Sequence, residues 1–378
     1  MLVQNNSVLS FLPGWLLVLS GFAIAFVISY VTIPPILAVS NAKKLYDMPN
    51  GRTSHKLPTP LLGGIAVFAG TVLAIILAAG CSFGYELRYI FAGILILFFT
   101  GIKDDLLIIA PAKKLFAEIA SALIIIMMGD IRITSFYGIF GINEIPYIGS
   151  VLFTLFVFIV IINSFNLIDG IDGLSAGVGV ITSLAFGIWF MVAGYQSYTV
   201  LCFALAGSLL AFLRFNLFSE KNKIFLGDTG SLILGSFMAT IAVRFIQFEI
   251  TATGIADIHS TPAIACGILI YPLFDTLRVF TIRILRGQHP FKADKSHIHH
   301  LMLKAGFTHL ESTLYISLAN IFIIGISFML NSIGILLLSL VLLLISISLT
   351  GVVLILIKRK KMKNSVIELV SQKKLRAL

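Results

Sequence analysis

Charge is scarce in this sequence. Asp, Glu, Lys and Arg make up 12% of the 378 residues, about half the share of a soluble domain, which excludes an ordinary water-exposed surface. Cysteine is nearly absent. Cys81, Cys202 and Cys266 stand far apart without metal-ligand spacing, which excludes a disulfide framework and a cysteine zinc site. No Lys or Arg precedes the first apolar run, so the basic segment of a cleaved signal peptide is missing, and residues 11–35 read as a retained first span. Internal repeats and low-complexity tracts are lacking. The net charge of +10 comes without any nucleic-acid-binding motif, so no nucleic-acid partner is expected.

What the sequence has in abundance is hydrocarbon: 58% of its residues are hydrophobic and the mean hydropathy is +1.03. Apolar runs long enough to cross a bilayer recur along the chain. They predict an all-α polytopic integral membrane protein with about eleven spans, near 11–35, 61–80, 88–103, 113–129, 150–168, 174–193, 198–218, 230–248, 262–285, 311–330 and 333–357. Residues 1–357 then form a single transmembrane domain, and 358–378 a basic cytoplasmic tail suited to anionic lipid. This arrangement puts 24 of the 27 Lys and Arg residues on one face, with Arg88, Arg132 and Arg244 opposite. The positive-inside rule makes the rich face cytoplasmic, the N-terminus external and the C-terminus internal.

The acidic residues sort onto the same face. Asp47, Asp104, Asp105, Asp169, Asp172, Asp228 and Asp294 come from five segments. "GIKDDLL" sets Asp104 and Asp105 at the C-terminal end of a helix, against its dipole. That is either a solvated helix end or a carboxylate pair awaiting a cation such as Mg²⁺. "NSFNLIDGIDGLSAG" places Asn163, Asn166, Asp169 and Asp172 at one turn in apolar surroundings; turn formation and helix capping explain one Asp-Gly but not two. "FLGDTGSLILG" puts Asp228 at a glycine-bearing helix start, where Asp228, Thr229 or Ser231 would cap and a phosphate would also bind. "KADKSHIHHLML" gathers His297, His299 and His300 beside Lys292 and Lys295, donors for a polyanion, with a transition-metal site as the alternative. The loop "KKLYDMPNGRTSHKLPTPLLGG" mixes Arg52 and His55 with Pro and Gly and reads as a binding loop. A carboxylate-rich metal site ringed by cations suits a diphosphate substrate, and eleven spans suit a lipid co-substrate. A transporter would hold its charges near the midplane and show repeats. A CDP-alcohol phosphotransferase would carry Ala-Arg after the first Asp-Gly, where this chain has "IDGLSAG".

These clusters resemble the polyprenyl-phosphate N-acetylhexosamine-1-phosphate transferases. The resemblance spans nearly the whole chain through five motifs in order. They are Asp47, Pro49, Asn50, Arg52, His55, Pro58, Pro60, Gly63 and Gly64; Asp104, Asp105 and Lys114; Asn163 to Leu174; Phe225 to Ser231; and Asp294, Lys295, His297, His299 and His300. It implies attack of undecaprenyl phosphate on the β-phosphorus of a UDP-N-acetylhexosamine, with Mg²⁺ as cofactor (or Mn²⁺ in its place), at the cytoplasmic face of the bacterial inner membrane. It also implies that Asp228 is the main metal ligand, that Asp105 supports the metal and that Asp104 positions or deprotonates the lipid phosphate. Asn163, Asn166, Asp169 and Asp172 would hold the nucleotide and Phe225 would stack on uracil. Lys114, Arg52, His55 and the three histidines would face diphosphate or sugar. A homodimer is compatible with the resemblance. The first loop is nearer to the WecA and TagO branch than to MraY, which makes UDP-GlcNAc the leading donor over UDP-GalNAc or UDP-MurNAc-pentapeptide. One departure is "HHLML", where many members of that branch have Arg directly after the histidines, a change at the sugar pocket.

Overall fold

A segment in lipid must satisfy its backbone polar groups within itself, and the chain does so with helices. The computed structural model describes residues 13–47, 58–79, 86–107, 109–249, 258–289 and 295–375, with side chains as far as Met362. The helices are α1 (Gly14–Lys43), α2 (Gly63–Ala79), α3 (Glu86–Leu107), α4 (Pro111–Leu123), α5 (Tyr147–Ile168), α6 (Leu174–Val192), α7 (Gln196–Asn216), α8 (Gly227–Glu249), α9 (Thr261–Ile268), α10 (Ile270–Leu285), α11 (Ile298–Ala305), α12 (His309–Met329) and α13 (Ile335–Leu375). The described strands are β1 (Tyr46–Asp47) and β2 (Thr59–Pro60), an antiparallel pair closing the base of the first loop.

This is an all-α polytopic membrane protein. Each of the eleven expected apolar stretches contains a helix, but only seven of those helices are long and apolar enough by themselves to cross a membrane. An eighth crossing is made if α9 and α10, bent by 83° at their junction, count as one. The shortfall has physical reasons. The apolar part of α2 is short, α3 carries Glu86, Arg88, Lys103, Asp104 and Asp105, and α4 is 13 residues long before it widens into a π turn at Ile124–Met128. All three are nonetheless packed into the bundle: α2 lies on α1, α7 and α8, and α3 on α8 and α4. The basic tail begins as a direct continuation of α13, which runs on to Leu375.

Helices in lipid associate through close packing and short polar links. Ser29 of α1 donates to the Ala66 carbonyl of α2 at 3.0 Å, and Thr71 of α2 donates to Ser208 of α7 at 3.0 Å. Where α3 and α7 begin and α8 ends, Arg244 pairs with Glu86 at 2.5 Å and donates to the Tyr198 hydroxyl at 2.8 Å, while that hydroxyl donates to Glu86 at 2.6 Å. At the opposite end of α3 and α8 lie the residues the sequence singled out.

Candidate active site

The two aspartates of "KDD" diverge. Successive helical residues differ by about 100°, and each carboxylate meets a different partner. Asp104 accepts the Ile109 amide at 2.7 Å and the Lys114 ammonium at 3.1 Å. Asp105 reaches the start of α8, where Oδ1 accepts the Asp228 amide at 2.7 Å and Oδ2 accepts the Thr229 amide at 3.1 Å and hydroxyl at 2.5 Å. The two carboxylates thus have separate protein partners. Asp105 caps α8 in place of Asp228, Thr229 or Ser231, supplying a negative charge where the helix dipole is positive.

That cap sets Asp228 free for other contacts. Its Oδ1 accepts from Lys114 and, at 2.7 Å, from Asn166, whose amide nitrogen also lies 2.8 Å from the Ser231 hydroxyl. No hydrogen bond from the described residues falls on its other oxygen, and the side chain is 36% exposed. Backbone contacts lock this corner. The Phe225 amide donates to the Pro60 carbonyl at 2.8 Å, and the Gly63 and Gly64 amides donate to the Phe225 and Leu226 carbonyls at 3.0 and 2.9 Å. A Cβ on Gly64 would lie 2.2 Å from the Gly230 nitrogen, so only glycine permits the approach.

The turn after α5 joins this corner to the histidines. Asp169 makes no hydrogen bond among the described residues, and burial, followed by the negative charges of Asp228, Asp105 and Asp172, pushes it up to about 8. A Cβ on Gly170 would sit 2.4 Å from His299 Nε2, so the imidazole lies flush against the turn. His299 is 1% exposed and its Nδ1 is buried without a hydrogen-bond partner among the described residues. Burial first, then the neighbouring imidazoles outweighing the attraction of Asp275, bring His299 down to about 3. It is therefore a neutral hydrogen-bonding group at working pH. The His300 ring is 4.2 Å from that of His299, and burial with nearby cations lowers it to about 4.

Several expected ligand contacts are already engaged within the protein. Asp172 Oδ2 lies 2.6 Å from Lys223 Nζ and 2.7 Å from His309 Nδ1. Burial alone would raise its pKa, but these hydrogen bonds and charges hold it below the usual carboxylate range. Asn163 donates to Glu118 at 2.5 Å and to its own helix at Ile159 at 3.0 Å. Phe225 is half-buried with Lys223 Nζ 5.7 Å from its ring centroid. Arg52 and His55, with Lys292 and Asp294, lie outside the described residues.

Sequence reasoning missed Glu118, Asn216 and Asp275. Glu118 lies one helical turn after Lys114 on α4, and that spacing was a readable signal. Asn216 ends α7 and fastens the Asp-Gly turn: its oxygen accepts the Gly173 amide at 2.6 Å and its amide donates to the Ile224 carbonyl at 2.8 Å. Asp275, a fully buried acid on α10, takes hold of the histidine segment; a lone acid in an otherwise apolar and basic helix was its signal.

For metal binding, no three His, Cys, Asp or Glu side chains converge among the described residues. Asp228 Oδ2 and the Asp169 carboxylate carry no hydrogen bond from the described residues, an all-oxygen set. That fits Mg²⁺, which binds through one or two carboxylates and completes its shell with water and substrate phosphates.

The fold and this corner together define a polytopic membrane protein with an acidic, lysine-bearing cluster at one end of its bundle. The pattern of glycosyl transferase family 4 matches residues 87–246. The undecaprenyl-phosphate α-N-acetylglucosaminyl 1-phosphate transferase of Escherichia coli O157:H7 is 31% identical over 314 residues, 81% of each chain. The protein of the same name from Haemophilus influenzae is 32% identical over 305 residues, 79% of this chain and 82% of that one. The chain belongs to glycosyl transferase family 4.

Proposed function

We propose that this protein transfers N-acetylglucosamine 1-phosphate from UDP-GlcNAc to undecaprenyl phosphate, giving undecaprenyl-diphospho-GlcNAc and UMP. This is the initiating step of a cell-surface polysaccharide or teichoic acid, carried out at the cytoplasmic face of the bacterial inner membrane. The observation that carries the reading is the Asp104–Lys114–Asp228–Asn166 constellation at the start of α8, in a chain 31% identical to enzymes so named. Eleven crossings, with the N-terminus outside, put this constellation on the cytoplasmic side. The distribution of Lys and Arg supports that topology.

Asp228 would be the main ligand for Mg²⁺ or Mn²⁺, with Asp169 contributing and Asp105 acting by fixing the backbone of Asp228. The bound cation would offset the charge of the diphosphate. The chain's own groups do the rest. Lys114, held between Asp104 and Asp228, offers its ammonium to the reacting phosphates. A lipid phosphate oxygen forms a bond to the β-phosphorus, the bond from that phosphorus to the UMP oxygen breaks, and UMP leaves. The lipid phosphate is already largely ionised at neutral pH, so no strict base is required. Asp104, with hydrogen bonds on both oxygens, is a positioning group. Asp169 and Phe225 face the nucleotide in a pocket shaped by Asn163, Asn166 and Asp172, and the histidines, with Arg52 and His55, take the diphosphate and sugar.

Competition between UDP-GlcNAc and UDP-GalNAc on purified protein with polyprenyl phosphate tests the donor. GlcNAc-linked lipid is expected to predominate, with no product from UDP-MurNAc-pentapeptide. Predominant GalNAc product overturns the donor, and nucleotide-sugar flux without lipid product overturns the reaction.

A further inference from the structure

α11 packs on α12 and α13. His297 precedes it and its side chain makes no capping bond to that helix. The start of α11 is held from α10. Asp275, fully buried, uses Oδ1 to accept the Ile298 amide at 2.9 Å and the Arg278 guanidinium at 2.9 Å, while Oδ2 lies 2.8 Å from His297 Nδ1. Arg278 also donates to the Ser296 carbonyl at 2.5 Å. Asp275 thus does for α11 what Asp105 does for α8. Each is a carboxylate from another helix that closes an N-terminus from which site residues project.

The consequence for the imidazoles is geometric. With Nδ1–H directed at Asp275, the remaining nitrogen of His297 is Nε2, and the tautomer and ring plane are set. The His297 ring stacks on His299 at 5.6 Å with 14° between planes, and His299 in turn abuts Gly170 of the turn after α5. One buried acid therefore controls the register of the histidine segment against the turn that carries Asp169 and Asp172. His299 meets Gly170 through Nε2, while its buried Nδ1 has no hydrogen-bond partner among the described residues.

We propose that Asp275 is a positioning residue for the nucleotide-sugar donor: through Nδ1 of His297 it aligns the histidine segment against the Asp169–Asp172 turn. The inference rests on the reading of the donor site above. A group that acts only through His297 becomes dispensable once His297 is gone, whereas a merely structural group does not.

A double-mutant cycle read by equilibrium binding of UDP-GlcNAc to the purified full-length protein makes this test, since binding needs no turnover. Asp275→Asn keeps the size but replaces the Oδ2 acceptor with an NH₂ donor or forces the amide to abandon Ile298. It is expected to weaken UDP-GlcNAc binding by about tenfold, as is His297→Ala, and the double variant is expected to bind within about threefold of His297→Ala alone, the non-additivity of contacting residues. In turnover assays, the KM for polyprenyl phosphate is expected to stay within about threefold of the parent enzyme. If Asp275→Asn does not accumulate as folded protein, Arg278→Lys, which loosens the same carboxylate, takes its place with the same expected coupling. Additive losses, or equal losses for donor and lipid, overturn the proposal. Donor binding without any lipid-linked product overturns the reaction reading, and the cycle still decides the role of Asp275.

Discussion

Replacing Asp105 with Asn separates two roles that one carboxylate could play at this site. As the cap of α8, Asp105 receives three hydrogen bonds, from the Asp228 amide, the Thr229 amide and the Thr229 hydroxyl. Asn keeps one acceptor oxygen and turns an NH₂ group toward the other donors, so at least one backbone amide of α8 is left facing a donor. Hydrogen bonds to charged groups contribute about 1.5–3 kcal/mol each, and a stranded buried donor costs about 1–3 kcal/mol. The net loss is about 2–3 kcal/mol after allowing for the partial exposure of the site. With an unfolding entropy of about 2.1 cal/mol/K per residue, that lowers the melting temperature of a chain this long by about 3–4 °C. Intrinsic fluorescence melting of detergent-purified protein reads the shift, and a parallel Mg²⁺ titration of turnover reads the metal. A capping role predicts a lower melting temperature in metal-free buffer together with reduced maximal turnover, because Asp228 moves with the frayed helix start. A melting temperature within about 1 °C of the parent, with only the Mg²⁺ half-saturation displaced, would refute the capping argument and return Asp105 to direct ligation.

Three further outcomes are expected. Chelation with EDTA abolishes turnover, Mg²⁺ or Mn²⁺ restores it, and Asp228→Asn lowers turnover by at least about a hundredfold, the scale of losing a central charge-stabilising group; near-normal turnover in that variant sinks the metal assignment. In intact cells, in a cysteine-free background, an impermeant maleimide modifies Ile142→Cys and spares Lys304→Cys, and the reverse pattern overturns the topology. Gly64→Ala, whose Cβ would meet the Gly230 backbone at 2.2 Å, destabilises by about 3 kcal/mol or more through overpacking, whereas Gly177→Ala, with its nearest contact at 3.6 Å, is tolerated; equal expression and melting of the two would contradict the docking of α2 on α8.

The membrane character, the helices and the polar residues gathered at this corner follow from the sequence by itself. A polar residue in a hydrocarbon run is costly to retain without a task, which is why Asp104, Lys114, Asn166 and Asp228 stand out without any knowledge of the fold. Partnership is another matter. Asp104 and Asp105 are neighbours in the chain and look like one unit, but the helix turns them to different sides. Lys114 and the start of α8 then claim one each, the latter from more than 120 positions away. Asp172, read as a nucleotide contact, is held by Lys223 and His309 from two other segments. The span count is also a tertiary matter, since α2, α3 and α4 are too short or too charged to be recognised as crossings by composition, yet α2 packs against α1, α7 and α8, α3 against α8, and α4 against α3 and α5. Asp275 shows the division most plainly. In the sequence it is one acid in "YPLFDTLRVF", and only the bend between α9 and α10 and the return of the chain 22 residues later bring His297 onto its carboxylate. Burial in a low-dielectric interior makes a carboxylate's choice of partner decisive, and that choice is made by where helices cross, which no local stretch of residues encodes.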